Sequence, residues 1–137
     1  MKKFTTAAIA VALLMLIVAS SALAASKNFS DKRIYKDRYT SVSSGAKTTA
    51  DSVNYVSGKF TKINDTSNKD VGYQRVKVTI NRGASQVSAV GLIAEKNKAR
   101  TFTIKNKADY KKGVTLSLTV MGNNPNLDAI VSGQYVY

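Results

Sequence analysis

The chain has 137 residues, with 21 Lys and Arg against 8 Asp and Glu, a formal net charge of +13, and neither Cys nor His. Lack of His removes the commonest general base and the imidazole ligands of zinc or copper, and lack of Cys removes thiol nucleophiles, thiolate ligands and disulfides. A chain of this length suits one domain with one core, and so large a basic excess attracts polyanions: nucleic acid, anionic headgroups or phosphate-rich wall polymers.

Met1-Lys2-Lys3 makes a positive start, the run AAIAVALLMLIVA from Ala7 to Ala19 carries no charge, and Ala22-Leu23-Ala24 offers the small side chains a signal peptidase accepts. This pattern predicts a signal peptide over 1–24, cleaved after Ala24. The apolar run is shorter than the roughly 20 residues a membrane-crossing helix needs. No Cys follows it to carry a lipid, so the expected location is extracellular, released or held at the envelope by non-covalent contacts. Cleavage takes away Lys2 and Lys3 and lowers the net charge from +13 to +11.

Residues 25–32 are polar with little period and read as a flexible N-terminal lead, followed by a single domain over 33–137. Ile34 to Val42 and Val53 to Ile63 read as strands separated by Ser43-Ser44-Gly45, and Asn64 to Asp70 as a polar loop. Val76-Lys77-Val78-Thr79-Ile80 alternates apolar and polar, as a strand with one buried face does, and stops at Asn81-Arg82-Gly83. A further strand is expected within Val87 to Ala94, closed by a charged turn from Glu95 to Arg100.

Phe102 and Ile104 alternate with Thr101, Thr103 and Lys105, and Val114, Leu116, Leu118 and Val120 alternate with Thr115, Ser117 and Thr119. The segment MGNNPN, with Pro125, makes a reversal. The last strand, Leu127 to Tyr137, keeps Leu127, Ala129, Val131, Gly133 and Tyr135 in one register. About seven short strands with spaced turn signals, and no long amphipathic helix, predict an all-β antiparallel sandwich in preference to a closed barrel.

The mature acids, Asp31, Asp37, Asp51, Asp65, Asp70, Glu95, Asp109 and Asp128, are scattered through turn-like sequence, and nothing selects a catalytic pair. The loop INDTSNKD is rich in oxygen ligands but matches no calcium-loop spacing. The glycines are dispersed and form no phosphate-cradling loop. No catalytic, cofactor or metal site is therefore expected, and the protein does not read as an enzyme.

The cations fall into groups. Lys32, Arg33, Lys36 and Arg38 interleave with Tyr35 and Tyr39, a mixture that can stack on bases or sugars or sit at a membrane interface. Tyr73, Arg75 and Lys77 share one face of a strand; Lys96, Lys98 and Arg100 follow; then come Lys105 and Lys107, with Lys111 and Lys112 beyond. These are the candidate polyanion-binding residues; the plainer reading of the first group is solvated charge guarding an edge strand, and of the others ordinary solvated turns unless the sheets bring them together. The hydroxyl rows Thr101/Thr103 and Thr115/Ser117/Thr119 need no ligand, because β-branching favours Thr in strands.

With its signal peptide, its Cys-free basic mature chain and the ending LDAIVSGQYVY, the sequence resembles small secreted β-sandwich proteins of Gram-positive bacteria, loosely the lactococcin 972-like bacteriocins. The likeness lies in layout, so no residue's role is carried over from it. The first expectation is a secreted, non-enzymatic, cofactor-free basic domain that binds anionic envelope polymers or an anionic membrane surface, with only non-specific contacts to nucleic acid. The alternatives are a secreted antibacterial, membrane-active toxin, and a surface assembly subunit that self-associates through edge strands.

Overall fold

A computed structural model describes residues 24–66 and 75–137. The expected signal segment through Leu23, and Tyr73 in the candidate set, lie outside the described residues.

Among the described residues nine strands form two antiparallel sheets around one core. The first sheet has the order β1-β9-β3-β7: β1 (Ser26–Ile34), β9 (Ala129–Val136), β3 (Tyr55–Asp65) and β7 (Ala99–Thr103). The second runs β2 (Thr40–Ala46), β8 (Thr115–Gly122), β4 (Val76–Arg82), with β5 (Ser85–Gln86) and β6 (Gly91–Ile93) both on the far edge of β4.

Alternation decides which side chains are inside. Val120 and Leu118 of β8 pair with Val78 and Ile80 of β4, Leu116 and Val76 extend the same inner face, and all six are fully buried. From the opposite sheet Phe60, Ile63, Phe102, Ala129, Val131 and Tyr135 close the same core. Each such aliphatic or aromatic side chain contributes about 1.5–3 kcal/mol of burial, which offsets the absence of disulfides.

Successive strands mostly change sheets, so crossing loops collect at the two ends of the molecule. One end carries the corner 35–39, the turn 94–98 and the loop 123–128. The opposite end carries 47–54, the tight turn at Gly83 and the segment 104–114 with its single 3-10 turn, Lys107–Asp109.

Several expectations are corrected. Residues 25–32, read as a loose lead, belong mostly to β1, which pairs with β9 from Ser26↔Val136 to Ile34↔Ala129. A bulge between Phe29 and Lys32, with Asp31 at φ 47, hides its period. The first described residues are held as well. The Ala25 amide donates to Thr48 Oγ1 at 2.8 Å, that hydroxyl donates to the Tyr137 carbonyl at 3.0 Å, and the Tyr137 amide donates to the Ala25 carbonyl at 2.9 Å.

The expected strand Ile34 to Val42 is two strand ends and the corner between them: Ile34 and Val42 both face the core, from different sheets. Within Val87 to Ala94 only Gly91–Ile93 is strand, and Ser88 makes an isolated bridge to Ile104. Ala99 and Arg100, placed in a turn by the sequence, open β7. Leu127 lies before β9 and is exposed. The hydroxyl row on β8 is not uniformly wet, because Thr119 is buried against Thr79.

Candidate functional site: the cationic ends

The corner 35–39 is fixed by backbone contacts that its sequence alone does not announce. The Gly122 amide donates to the Tyr35 carbonyl at 2.9 Å, and the Asn123 amide donates to the Arg75 carbonyl at 3.1 Å. Gly122 pairs with Val76 in the β4–β8 ladder. These three links place Arg75 beside the corner and bring together two groups that lie far apart in sequence: Arg33, Lys36 and Arg38 with Arg75.

Within this end Tyr35 is the organising side chain. The Arg38 guanidinium lies 3.9 Å from its ring centroid and that of Arg33 lies 5.6 Å away. Stacking on an aromatic face holds a guanidinium in place with little loss of its exposure to ligand. One carboxylate serves the group: Asp128 accepts from Arg33 Nη2 at 3.0 Å and from the Lys36 amide at 3.1 Å. The Arg33 hydrogen bond, then that amide, hold its carboxyl below the usual range despite some desolvation. Arg38 and Arg75 make no ion pair among the described residues, the Lys36 charge adds a smaller effect on Asp128, Asp37 lies exposed between Lys36 and Arg38, and all three cations are exposed. Tyr39, 38 % exposed, and Leu127, 42 % exposed, add apolar surface at the same end.

The remaining candidates are dispersed. Lys98 pairs with Glu95 at 3.0 Å in the turn that also holds Lys96. Arg100 faces inward opposite Gly58 on β3, and its Nη1 donates to the Leu92 carbonyl at 2.6 Å, so it bridges the two sheets along their β6–β7 side. Lys77 stands half-buried on the outer face of the second sheet between Met121 and Leu92. Lys32 faces the gap between β1 and β2. Lys105 and Lys107 lie at the opposite end with Arg82, Lys111 and Lys112, where Arg82 Nη1 meets Asp109 at 2.9 Å and the Ala108 carbonyl at 3.2 Å. The candidates among the described residues thus do not make one patch.

One charged residue of that opposite end escaped the sequence reading. Lys47 is 1 % exposed, and its Nζ donates to the carbonyls of Ala50 at 2.7 Å and Thr49 at 3.1 Å. Burial lowers its pKa, and Asp51 nearby works in the other direction. Its ammonium closes a loop and is not offered to a ligand.

No three acidic side chains come together as a metal cage among the described residues. No family model, curated protein or solved structure matches the chain.

Proposed function

We propose that the protein is a secreted, non-enzymatic β-sandwich that binds anionic polymers or surfaces of the cell envelope through the end formed by Arg33, Lys36, Arg38 and Arg75. The observation that carries this reading is the stack of Arg38 on Tyr35 at 3.9 Å, set among exposed cations of which, among the described residues, Arg33 alone makes an ion pair. A guanidinium already held on a ring gives up less conformational freedom on binding than a free one, so more of its attraction to phosphate appears as affinity. The signal pattern at 1–24 supports the location and the charge excess supports the ligand class.

Co-sedimentation of the protein with Gram-positive envelopes and with anionic and neutral vesicles, across a salt series, tests it. Binding to envelopes and anionic surfaces falls as salt rises, and K36Q/R38Q weakens it. Absence of binding at low salt sinks the reading. A membrane-active role is the second reading, favoured by Tyr39 and Leu127, which place apolar surface beside the cations as interfacial proteins do. Leakage of anionic vesicles distinguishes it, because a polymer binder sediments without releasing their contents.

A further inference from the structure

Between the free edges of β1 and β2 lies an open cleft of ≈ 370 Å³ lined by Lys27, Ser30 and Lys32 from β1 and by Ser41, Ser43 and Ser44 from β2. Directly paired residues in an antiparallel ladder share a face. Lys27 pairs with Tyr135 and Lys32 with Val131, both fully buried, so both lysine stems lie on the core-facing side of β1 and project over this gap. Ser43 pairs with Leu118 and is likewise turned inward.

The β1 bulge sorts the charges. It turns Asp31 to the outer face, where its amide donates to Ser132 Oγ at 2.9 Å and its carboxylate accepts from Lys62 Nζ at 2.8 Å. The acid of β1 is thereby occupied away from the cleft, and neither Lys27 nor Lys32 meets a carboxylate among the described residues. Ser43 adds an independent sign. It is 7 % exposed, and its Oγ has no hydrogen-bond partner among the described residues. A buried hydroxyl left unpaired is costly, so its retention next to two unneutralised cations points to an acceptor that the free protein lacks.

Tyr135 and Val131 are four residues apart on β9, which sets the two lysine stems about 13 Å apart at strand spacing. Stems so spaced suit separate anionic groups along a chain better than one small ion. The floor between them is apolar, Phe29 and Val42, and both are buried. Each phosphate group within such a chain offers two non-bridging oxygens, which accept from one ammonium on the β1 side and one serine hydroxyl on the β2 side.

We propose that the β1–β2 cleft is a groove for a linear polymer bearing repeated phosphate groups, with Lys27 and Lys32 on separate phosphates along it and Ser43 donating from the β2 side. This rests on the polyanion-binding reading above and assigns it a second surface, distinct from the Arg38 end.

The test uses protein recovered after expression of the full chain, titrated at low salt with linear polyphosphate, inorganic phosphate and polyglutamate. The parent binds polyphosphate, and binds inorganic phosphate at least about 100-fold more weakly because a single ion cannot engage both lysines. K27Q/K32Q loses about tenfold or more in polyphosphate affinity with an unchanged thermal midpoint, since both side chains are exposed. S43A loses affinity while its thermal midpoint holds or rises, a divergence that a purely structural serine does not give.

K27Q/K32Q binding like the parent overturns the groove. Equal affinity for polyglutamate overturns the phosphate class, and undiminished binding by S43A overturns the role of Ser43. A parent that sediments with envelopes but ignores polyphosphate sinks the groove alone; one that does neither sinks the polyanion reading with it.

Discussion

The rings of Phe29 on β1 and Phe60 on β3 meet edge to face, with centroids 5.5 Å apart, although β9 lies between their strands. They meet because the β9 residue opposite both is Gly133. The aromatic pair adds about 0.5–1.5 kcal/mol beyond its burial, and it exists only where the middle strand has no side chain.

Gly133→Ala tests that arrangement. A Cβ there would overlap the Lys59 carbonyl oxygen and lie 2.8 Å from Phe29 Cζ. The ring can shift, but the β3 backbone can yield only by opening the β3–β9 ladder. The expected loss is about 1–3 kcal/mol, read as a lower urea midpoint with little change in slope.

The clean strands were legible for a simple reason: in β4, β8 and β9 the inward positions are Val, Leu, Ile, Ala or Tyr, interrupted only by glycine. On β1 two inward positions are Lys27 and Lys32, tolerated because the strand is an edge, and the bulge at Asp31 breaks the count between them. A period-2 search sees no strand there. The cationic end was half legible. Arg33, Tyr35, Lys36 and Arg38 announce themselves, but Arg75 joins them only through the Gly122–Val76 pairing, and Arg100 looks like a turn cation until its bond to Leu92 is known. Lys47 gives no sequence signal, because its partners are main-chain carbonyls.

Tyr135 predicts behaviour at high pH. Its ring is fully buried and its hydroxyl has no partner among the described residues. Burial, with a smaller effect of Tyr137, raises its pKa above that of an unfolded tyrosine. Below about pH 10 the phenol is neutral in both states and costs nothing by titration. Above that, the unfolded chain ionises and the folded one resists, so stability falls as pH rises. Tyr135→Phe keeps the ring, removes the unpaired hydroxyl and is expected to gain about 1 kcal/mol at neutral pH and to flatten the alkaline limb. Thermal midpoints across pH 8 to 12 check both; a steeper alkaline fall in the variant would sink the account.

Asp128 and Asp31 predict behaviour at low pH. Arg33 and the Lys36 amide depress the first carboxyl, Lys62 the second. A depressed carboxylate pKa contributes stability above the unfolded value of 3.8 that disappears as pH falls through the lower folded value. The parent is therefore more stable than Asp128→Asn at pH 7, and the gap closes below about pH 4. The same substitution releases Arg33 from its partner, so affinity for anionic vesicles rises, by about fivefold at low salt for one cation near such a surface. Loss of affinity in Asp128→Asn would mean that the carboxylate positions Arg33 more than it neutralises it.

Thr79 and Thr119 stand opposite each other on the outer face of the second sheet, their hydroxyls 2.6 Å apart, and both also reach Asn81 Oδ1 at 3.0 and 3.1 Å. Thr119 further donates toward the Thr79 carbonyl at 3.1 Å. Because both residues are buried although they sit on the outer side, removing one hydroxyl takes a partner from the other and from Asn81 Oδ1, and burial keeps water from replacing it. Thr119→Val is expected to cost about 1–2 kcal/mol despite its similar shape. The double variant T79V/T119V is expected to lose less than the sum of the two single substitutions, because the bond between the two hydroxyls is broken by either one, a coupling that urea unfolding of the four proteins measures directly. Additive losses would show that each threonine acts through Asn81 separately and not through the pair.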